Sequence, residues 1–222
     1  MPVTRPYRSP RRAEDAATTR ADILTAARDL FAERGYARVT VADIARAAGT
    51  AVKTVYASAG GKAGILAELL SSAVTGSRAD ETLAEVRAAG DLTAALTALA
   101  RGTRWGNETH RVAIDIMYSA MSAQDDAERV WTAGTTAYRA TLRSVAEHLA
   151  TLGAVERVDR AADLLWFWFG PAAWRTLVRD CGWPWDEAER WLLDQALRAF
   201  TPGPVPPGPP SPGHRPPGTT PR

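Results

Sequence analysis

Apolar positions recur at helical spacing along nearly the whole chain, and no stretch shows the strict alternation of a half-buried strand. Ile23, Leu24, Ala27, Leu30 and Phe31 form one face of a first helix, predicted from a cap at Thr19, with Asp22 three residues on, to Arg34. Gly35 supplies its left-handed stop. Thr40 and Asp43 make a second capping pair, from which Val41, Ile44, Ala45 and Ala48 point inward along a short helix ending at Gly49. After that tight turn, Thr50 is the predicted cap of a third helix carrying Ala51, Val52, Lys53, Thr54, Val55 and Tyr56. A fourth begins near Lys62, behind Gly60-Gly61, and ends between Ser72 and Gly76.

The same periodicity predicts helices over about 91–105, 109–123, 126–152, 158–180 and 186–200. Gly170-Pro171 must break the fourth of these, because proline lacks a backbone donor and clashes with the preceding turn. From Thr201 onward prolines and glycines dominate, and such a segment cannot bury enough apolar surface to order itself. The expected division is a basic flexible arm over 1–16, a helix-turn-helix domain over 17–76, a larger helical domain over 77–200 and a disordered proline-rich tail over 201–222. The fold class is all-α.

Charge sharpens this picture. Through Lys62, eleven Lys and Arg stand against six Asp and Glu, whereas the rest of the chain carries sixteen against nineteen. The two lysines of the chain, Lys53 and Lys62, both lie in the basic part. A basic end on a mildly acidic body suits a polyanionic partner. With 222 residues and one cysteine, Cys181, the chain holds no internal disulfide and no paired-cysteine metal site; Cys181 is expected to be an inert packing residue. No run of 18 apolar residues is present and no secretory pattern opens the chain, so a cytoplasmic protein without membrane contact is expected. His110, His148 and His214 are far apart in sequence, and Gly60-Gly61-Lys62 lacks the spaced glycine and Ser/Thr of a phosphate loop. No catalytic residue, metal or cofactor is predicted, and an all-helical enzyme is the weakest of the readings.

Two short helices joined at Ala48-Gly49-Thr50 have the form of a helix-turn-helix, whose second helix enters the major groove. Small residues at its start allow close approach, Val52 suits a thymine methyl, and Lys53 suits guanine acceptors. Tyr56, Lys62 and the start of the fourth helix suit phosphate oxygens, and Arg5, Arg8, Arg11 and Arg12 suit a flexible arm on the duplex. Here the chain resembles the TetR (tetracycline repressor) family of transcriptional regulators. The likeness rests on Ile23-Leu24, Ala26-Ala27, Leu30-Phe31, Gly35-Tyr36, Thr40 to Ala45, Ala48-Gly49, Thr54-Val55-Tyr56 and Gly60-x-Lys62. It implies phosphate contacts from Thr40, Thr54, Tyr56 and Lys62, with Thr50 at the turn and Ala51, Val52 and Lys53 nearest the bases. Three positions depart from the pattern: Ala59 replaces a bulky aromatic, Thr50-Ala51 replaces Val-Ser, and Gly61 replaces the serine before the lysine. Unless something fills the space, Ala59 should loosen the third helix against the fourth by a few kcal/mol, the usual order of a large-to-small core change.

The resemblance further implies a homodimer, a near-palindromic DNA operator and a small-molecule effector, with the regulator most often a repressor. Leu164 to Phe169 is apolar all round and requires burial on every side. Trp166, Phe167 and Phe169, with Trp191, Leu193 and Leu197 of the last helix, are the candidate dimer interface. Trp105, Met117, Tyr118, Met121, Trp131 and Tyr138 are the candidate pocket for an apolar or aromatic ligand, with His110 and Asp115 as polar anchors. Altered turn residues and the proline-rich tail leave a second reading, a helical protein-interaction module that no longer binds an operator.

Overall fold

The computed structural model describes residues 10–76, 78–121 and 125–201. Within them every regular element is helical: α1 (Pro10–Arg34), a 3-10 turn at Tyr36–Arg38, α2 (Val41–Ala47), α3 (Val52–Ala59), α4 (Gly61–Thr75), α5 (Ala79–Ala88), α6 (Leu92–Thr109), α7 (Arg111–Met121), α8 (Asp125–Thr151), α9 (Val158–Phe169), α10 (Pro171–Trp174), a wide π-type turn at Arg175–Asp180, and α11 (Trp185–Phe200). The all-α expectation holds. The tail from Pro202 and the start of the arm, with Arg5 and Arg8, lie outside the described residues.

Most predicted boundaries fall within a few residues of those observed, and the exceptions have physical causes. α1 begins nine residues before Thr19. The Thr18 and Thr19 hydroxyls donate back to the Glu14 and Asp15 carbonyls, so these threonines sit inside the helix instead of capping it. α3 starts from Ala51, which offers no side-chain cap, one residue after the predicted Thr50. α5 was not expected: Thr82 and Val86 are its buried residues, too few to mark a face in the sequence. The break at Gly170-Pro171 is present, with Gly170 extended and Pro171 opening α10. Beyond it the chain widens into the π-type turn rather than continuing as an ordinary helix. Cys181, at the end of that turn, is exposed, which corrects its reading as a packing residue.

Apolar burial is concentrated in two clusters. One joins Ile23, Phe31, Tyr36, Ile44, Val55, Ile65 and Leu66 of the first four helices and their turn to Ile116, Met117 and Ala120 of α7. The other joins Leu96, Leu99, Leu142, Leu149, Leu165, Phe169, Trp174 and Leu192. α7 therefore belongs to the body by chain order and to the N-terminal core by packing. Among the described residues no helix is long and apolar enough to cross a membrane.

Candidate nucleic-acid interface and body cleft

α2 and α3 are set by local chemistry. The Thr40 hydroxyl accepts from the Asp43 amide at 3.1 Å and donates to the Asp43 carboxylate at 2.6 Å, while that carboxylate also accepts from the Thr40 amide at 3.0 Å. This reciprocal cap satisfies donors the helix leaves free, and it holds the Asp43 carboxyl below its usual range, chiefly through the Thr40 hydroxyl. Arg46 closes on the same carboxylate at 3.2 Å. Gly49 turns the chain with φ +62°, and the Thr50 amide donates to the Ala45 carbonyl at 2.9 Å.

α3 buries Val55 and Ala59 and presents its other face outward. Ala51, Val52, Lys53 and Tyr56 are exposed, and Thr50 and Thr54 are half-buried. These candidates therefore share one accessible surface. Two of the predicted phosphate ligands carry internal bonds. The single hydroxyl proton of Thr40 is given to Asp43, which leaves only acceptor capacity outward. Lys62 donates to the Tyr36 carbonyl at 2.7 Å and lies 4.2 Å from the Tyr36 ring centroid, and burial pushes its ammonium below the usual lysine range. Lys62 thus ties the first turn of α4 to the turn after α1, with two ammonium protons left for an oxygen outside.

The two glycines around this lysine answer the departures noted in the sequence. At Gly64 a Cβ would stand 2.1 Å from the Ala59 carbonyl oxygen, so α4 closes directly onto the end of α3. The gap expected at Ala59 is filled by backbone approach, and Ala59 is only 6% exposed. At Gly61, where φ is +79°, a Cβ would stand 2.9 Å from the Tyr56 ring. The lost serine therefore leaves room for that ring to lie over the start of α4. Sequence reasoning missed Gly64; a glycine one turn into a helix, opposite an unusually small neighbour, was the available signal.

The six candidate pocket residues do not converge on one cavity. Trp105 stacks edge-on to His110 and lies under Arg78, whose guanidinium carbon is 4.5 Å from the ring centroid. Met117 is fully buried in the N-terminal core, and Met121 is exposed. Tyr118 and Trp131 meet edge-on with ring centroids 5.1 Å apart. Tyr138 donates to the Phe169 carbonyl at 2.6 Å and packs on Trp166, and burial pushes its hydroxyl upward. A cleft of about 310 Å³ lies elsewhere, between α7 and the π-type turn. Arg111, Ile114, Asp115, Trp174, Arg175, Val178, Arg179 and Trp185 line it, with Asn107 and Pro171. Of the sequence candidates, Asp115 is the one that reaches it. His110 turns toward Gly76, where a Cβ would meet its ring at 3.1 Å.

The candidate interface residues are likewise divided. Phe169 is completely buried within its own chain, because it shares the inward face of α9 with Leu165 and Ala161. Phe167 is 69% exposed and Trp191 42% exposed; Trp166, Leu193 and Leu197 are half-buried. Trp191 meets Trp183 edge-on at 5.8 Å, so exposed aromatic surface gathers on α9 and α11. Among the described residues no group of three His, Cys, Asp or Glu side chains is placed to hold a metal.

Residues 23–69 match the family described as bacterial regulatory proteins, tetR family. No curated protein matches the chain in sequence. In fold the chain is similar to a TetR-family transcriptional regulator from Syntrophomonas wolfei, at 18% identity, TM-score 0.67, over 82% of this chain and 94% of that one. A transcriptional regulator from Saccharomonospora viridis, solved in complex with choline, aligns at 21% identity, TM-score 0.61, over 80% and 95%. The SmeT–triclosan complex aligns at 19% identity, TM-score 0.62, over 85% and 99%.

Proposed function

We propose, from the premise that residues 23–69 form a tetR-family regulatory domain, that this chain is a cytoplasmic, homodimeric, sequence-specific DNA-binding regulator. In this reading residues 17–76 bind DNA, residues 77–200 dimerise and hold a small apolar or aromatic effector, and the effector releases a repressor from a near-palindromic operator. The protein works by binding equilibria and not by catalysis. One observation carries the reading: α3 shows Ala51, Val52, Lys53 and Tyr56 to solvent on a helix whose opposite face is locked into the core. Small residues at the helix start admit the backbone to the groove, and Lys53 makes no ion pair among the described residues.

A dimer must hold its two recognition helices about one turn of DNA apart, roughly 34–36 Å, so an effector that changes their separation changes affinity. Linkage requires the converse: operator DNA weakens effector binding by the same factor. Small-molecule binding is supported by the choline and triclosan complexes of the two structural neighbours. The exposed aromatics of α9 and α11 support dimerisation.

The experiment is selection of bound fragments from a random DNA pool, followed by the salt dependence of the best binder. A near-palindrome bound by a dimer with a steep salt slope is expected. Lys62→Ala should weaken binding to all sequences and lower the slope by about 1, whereas Lys53→Ala should also relax base preference. The internal bonds of Thr40 and Lys62 favour the second reading, an interaction module without an operator. Folded protein that enriches no sequence at moderate salt would overturn operator binding and bring interaction or ligand-binding roles to the front.

A further inference from the structure

The cleft beside α7 is built around an unbalanced set of donors. Arg175 Nε lies 3.5 Å and Arg179 Nη1 2.5 Å from the same oxygen of Asp115, Oδ1. Two guanidinium groups thus share one carboxylate oxygen, and Arg175 Nε makes no hydrogen bond. Asp180 takes a further Arg175 nitrogen at 3.1 Å on the outer side, and Arg111 adds a third cation to the wall without an ion pair among the described residues. The Trp174 ring is 99% buried at the base, yet its indole N–H has no acceptor. Ile114, Val178 and the paired indoles of Trp174 and Trp185, 5.9 Å apart, supply apolar wall. Unsatisfied donors beside an apolar wall, in a cleft with more cations than carboxylates, describe a missing acceptor oxygen.

We propose that this cleft is the effector site, and that the effector is a small carboxylate on an apolar body. Its carboxylate binds the Arg175 and Arg179 guanidinium groups in competition with Asp115 and accepts from the Trp174 indole. Guanidinium forks match a carboxylate in two-point geometry, which an alcohol or an amine does not reproduce.

Displacing Asp115 acts on α7, and α7 is hydrogen-bonded through the turn after α1 to the start of α4, which adjoins the recognition helix. One turn beyond Asp115, the Ser119 hydroxyl accepts from the Tyr36 amide at 3.4 Å. The Tyr36 carbonyl accepts from Lys62, the second residue of α4, two residues after Gly60 caps α3. Ile116, Met117 and Ala120 on the same helix are packed into the N-terminal core. The consequence for DNA rests on the reading above; the binding of the carboxylate does not.

The test follows the Trp174 indole resonance of the full chain labelled with nitrogen-15, assigned with Trp174→Phe. Decanoate and naphthalene-2-carboxylate are the probes, with decan-1-ol and naphthalene-2-methanol as uncharged counterparts. At least one carboxylate should shift the resonance saturably at a concentration tenfold or more below its alcohol. Arg175→Gln and Arg179→Gln should each weaken it tenfold or more, with circular dichroism unchanged. Asp115→Asn, which removes the competitor, should strengthen it about threefold, an outcome that mere loss of structure does not produce. With the selected operator, the carboxylate should lower DNA affinity, and Ser119→Ala should keep carboxylate binding while reducing that effect. Carboxylates that leave Trp174 unmoved, alcohols that bind equally well, or weaker binding by Asp115→Asn would overturn the site. Binding that leaves operator affinity unchanged would overturn its role as effector site. A carboxylate site in a protein that selects no operator would instead overturn the DNA-binding reading alone.

Discussion

α3 and α4 meet through backbone and glycine, and a lysine–carbonyl bond ties α4 to the turn after α1; α6, α9 and α11 meet through leucines, phenylalanines and indoles. The N-terminal unit sets α2 and α3 through contacts between chain neighbours, with caps and turns, and α7 closes its core. The body is assembled from large side chains far apart in sequence, and beside its local ion pairs it holds some across long separations, such as Arg104 to Glu189 at 3.0 Å. The difference teaches where each region is vulnerable. An added methyl at Gly64 strikes the backbone five residues earlier, whereas one at Gly102 in the body strikes Thr82 on a neighbouring helix; a removed core side chain parts local segments in the first unit and distant ones in the second. α7 sits in both, lending three residues to the N-terminal core and one wall to the cleft.

The strongest way to break that division is Met117→Ala. It should cost about 2–5 kcal/mol, as deletions of buried side chains do, although Met117 lies beyond residue 100. Hydrogen exchange should show protection lost from α1 and α4. Leu149→Ala, of similar cost, should loosen the body first. Equal loss everywhere for both would mean one cooperative core rather than two joined by a helix.

Next in size are paired glycine changes. Gly64→Ala forces a carbon against the Ala59 carbonyl and should cost about 1–3 kcal/mol by thermal unfolding, with weaker DNA binding. Gly134→Ala, within α8 and with open space at its Cβ, should stabilise by about 0.5–1 kcal/mol. Destabilisation at both positions would erase the contrast between the regions.

The smallest effect sharpens the role of the cap. Thr40→Ala should cost about 1 kcal/mol, and Thr40→Ser much less. Because the folded carboxyl of Asp43 lies below its unfolded value, its contribution is complete above the ordinary aspartate range. It is lost as pH falls through the lowered folded value. Asp43→Asn should remove that part of the acid dependence of unfolding. An unchanged acid profile would mean the carboxylate is not what stabilises α2.

The N-terminal unit was readable because its determinants are adjacent: Thr40 with Asp43, Gly49 at the turn, Gly60 at the end of α3. Those signals also placed the exposed face of residues 51–53 and 56 on one surface. What could not be read was anything requiring two distant segments to meet. The cleft joins residues 107–115 to 171–185, and only the folded chain brings Asp115 to Arg175 and Arg179. A partial signal was present, two arginines four apart beside a tryptophan just past a Gly-Pro break. The aromatic residues of α6 to α8 drew attention instead, and they are spread between ring pairs and the two cores.

The close approach of Gly64 to Ala59 also constrains how this recognition helix can diverge. The obstacle to any side chain at 64 is the Ala59 carbonyl, a backbone group that no substitution at 59 removes. Position 64 is therefore held to glycine by the turn between α3 and α4, whatever side chain stands at 59. Descendants of this chain that explore new operators would therefore vary Ala51, Val52 and Lys53 freely while keeping glycine at 64.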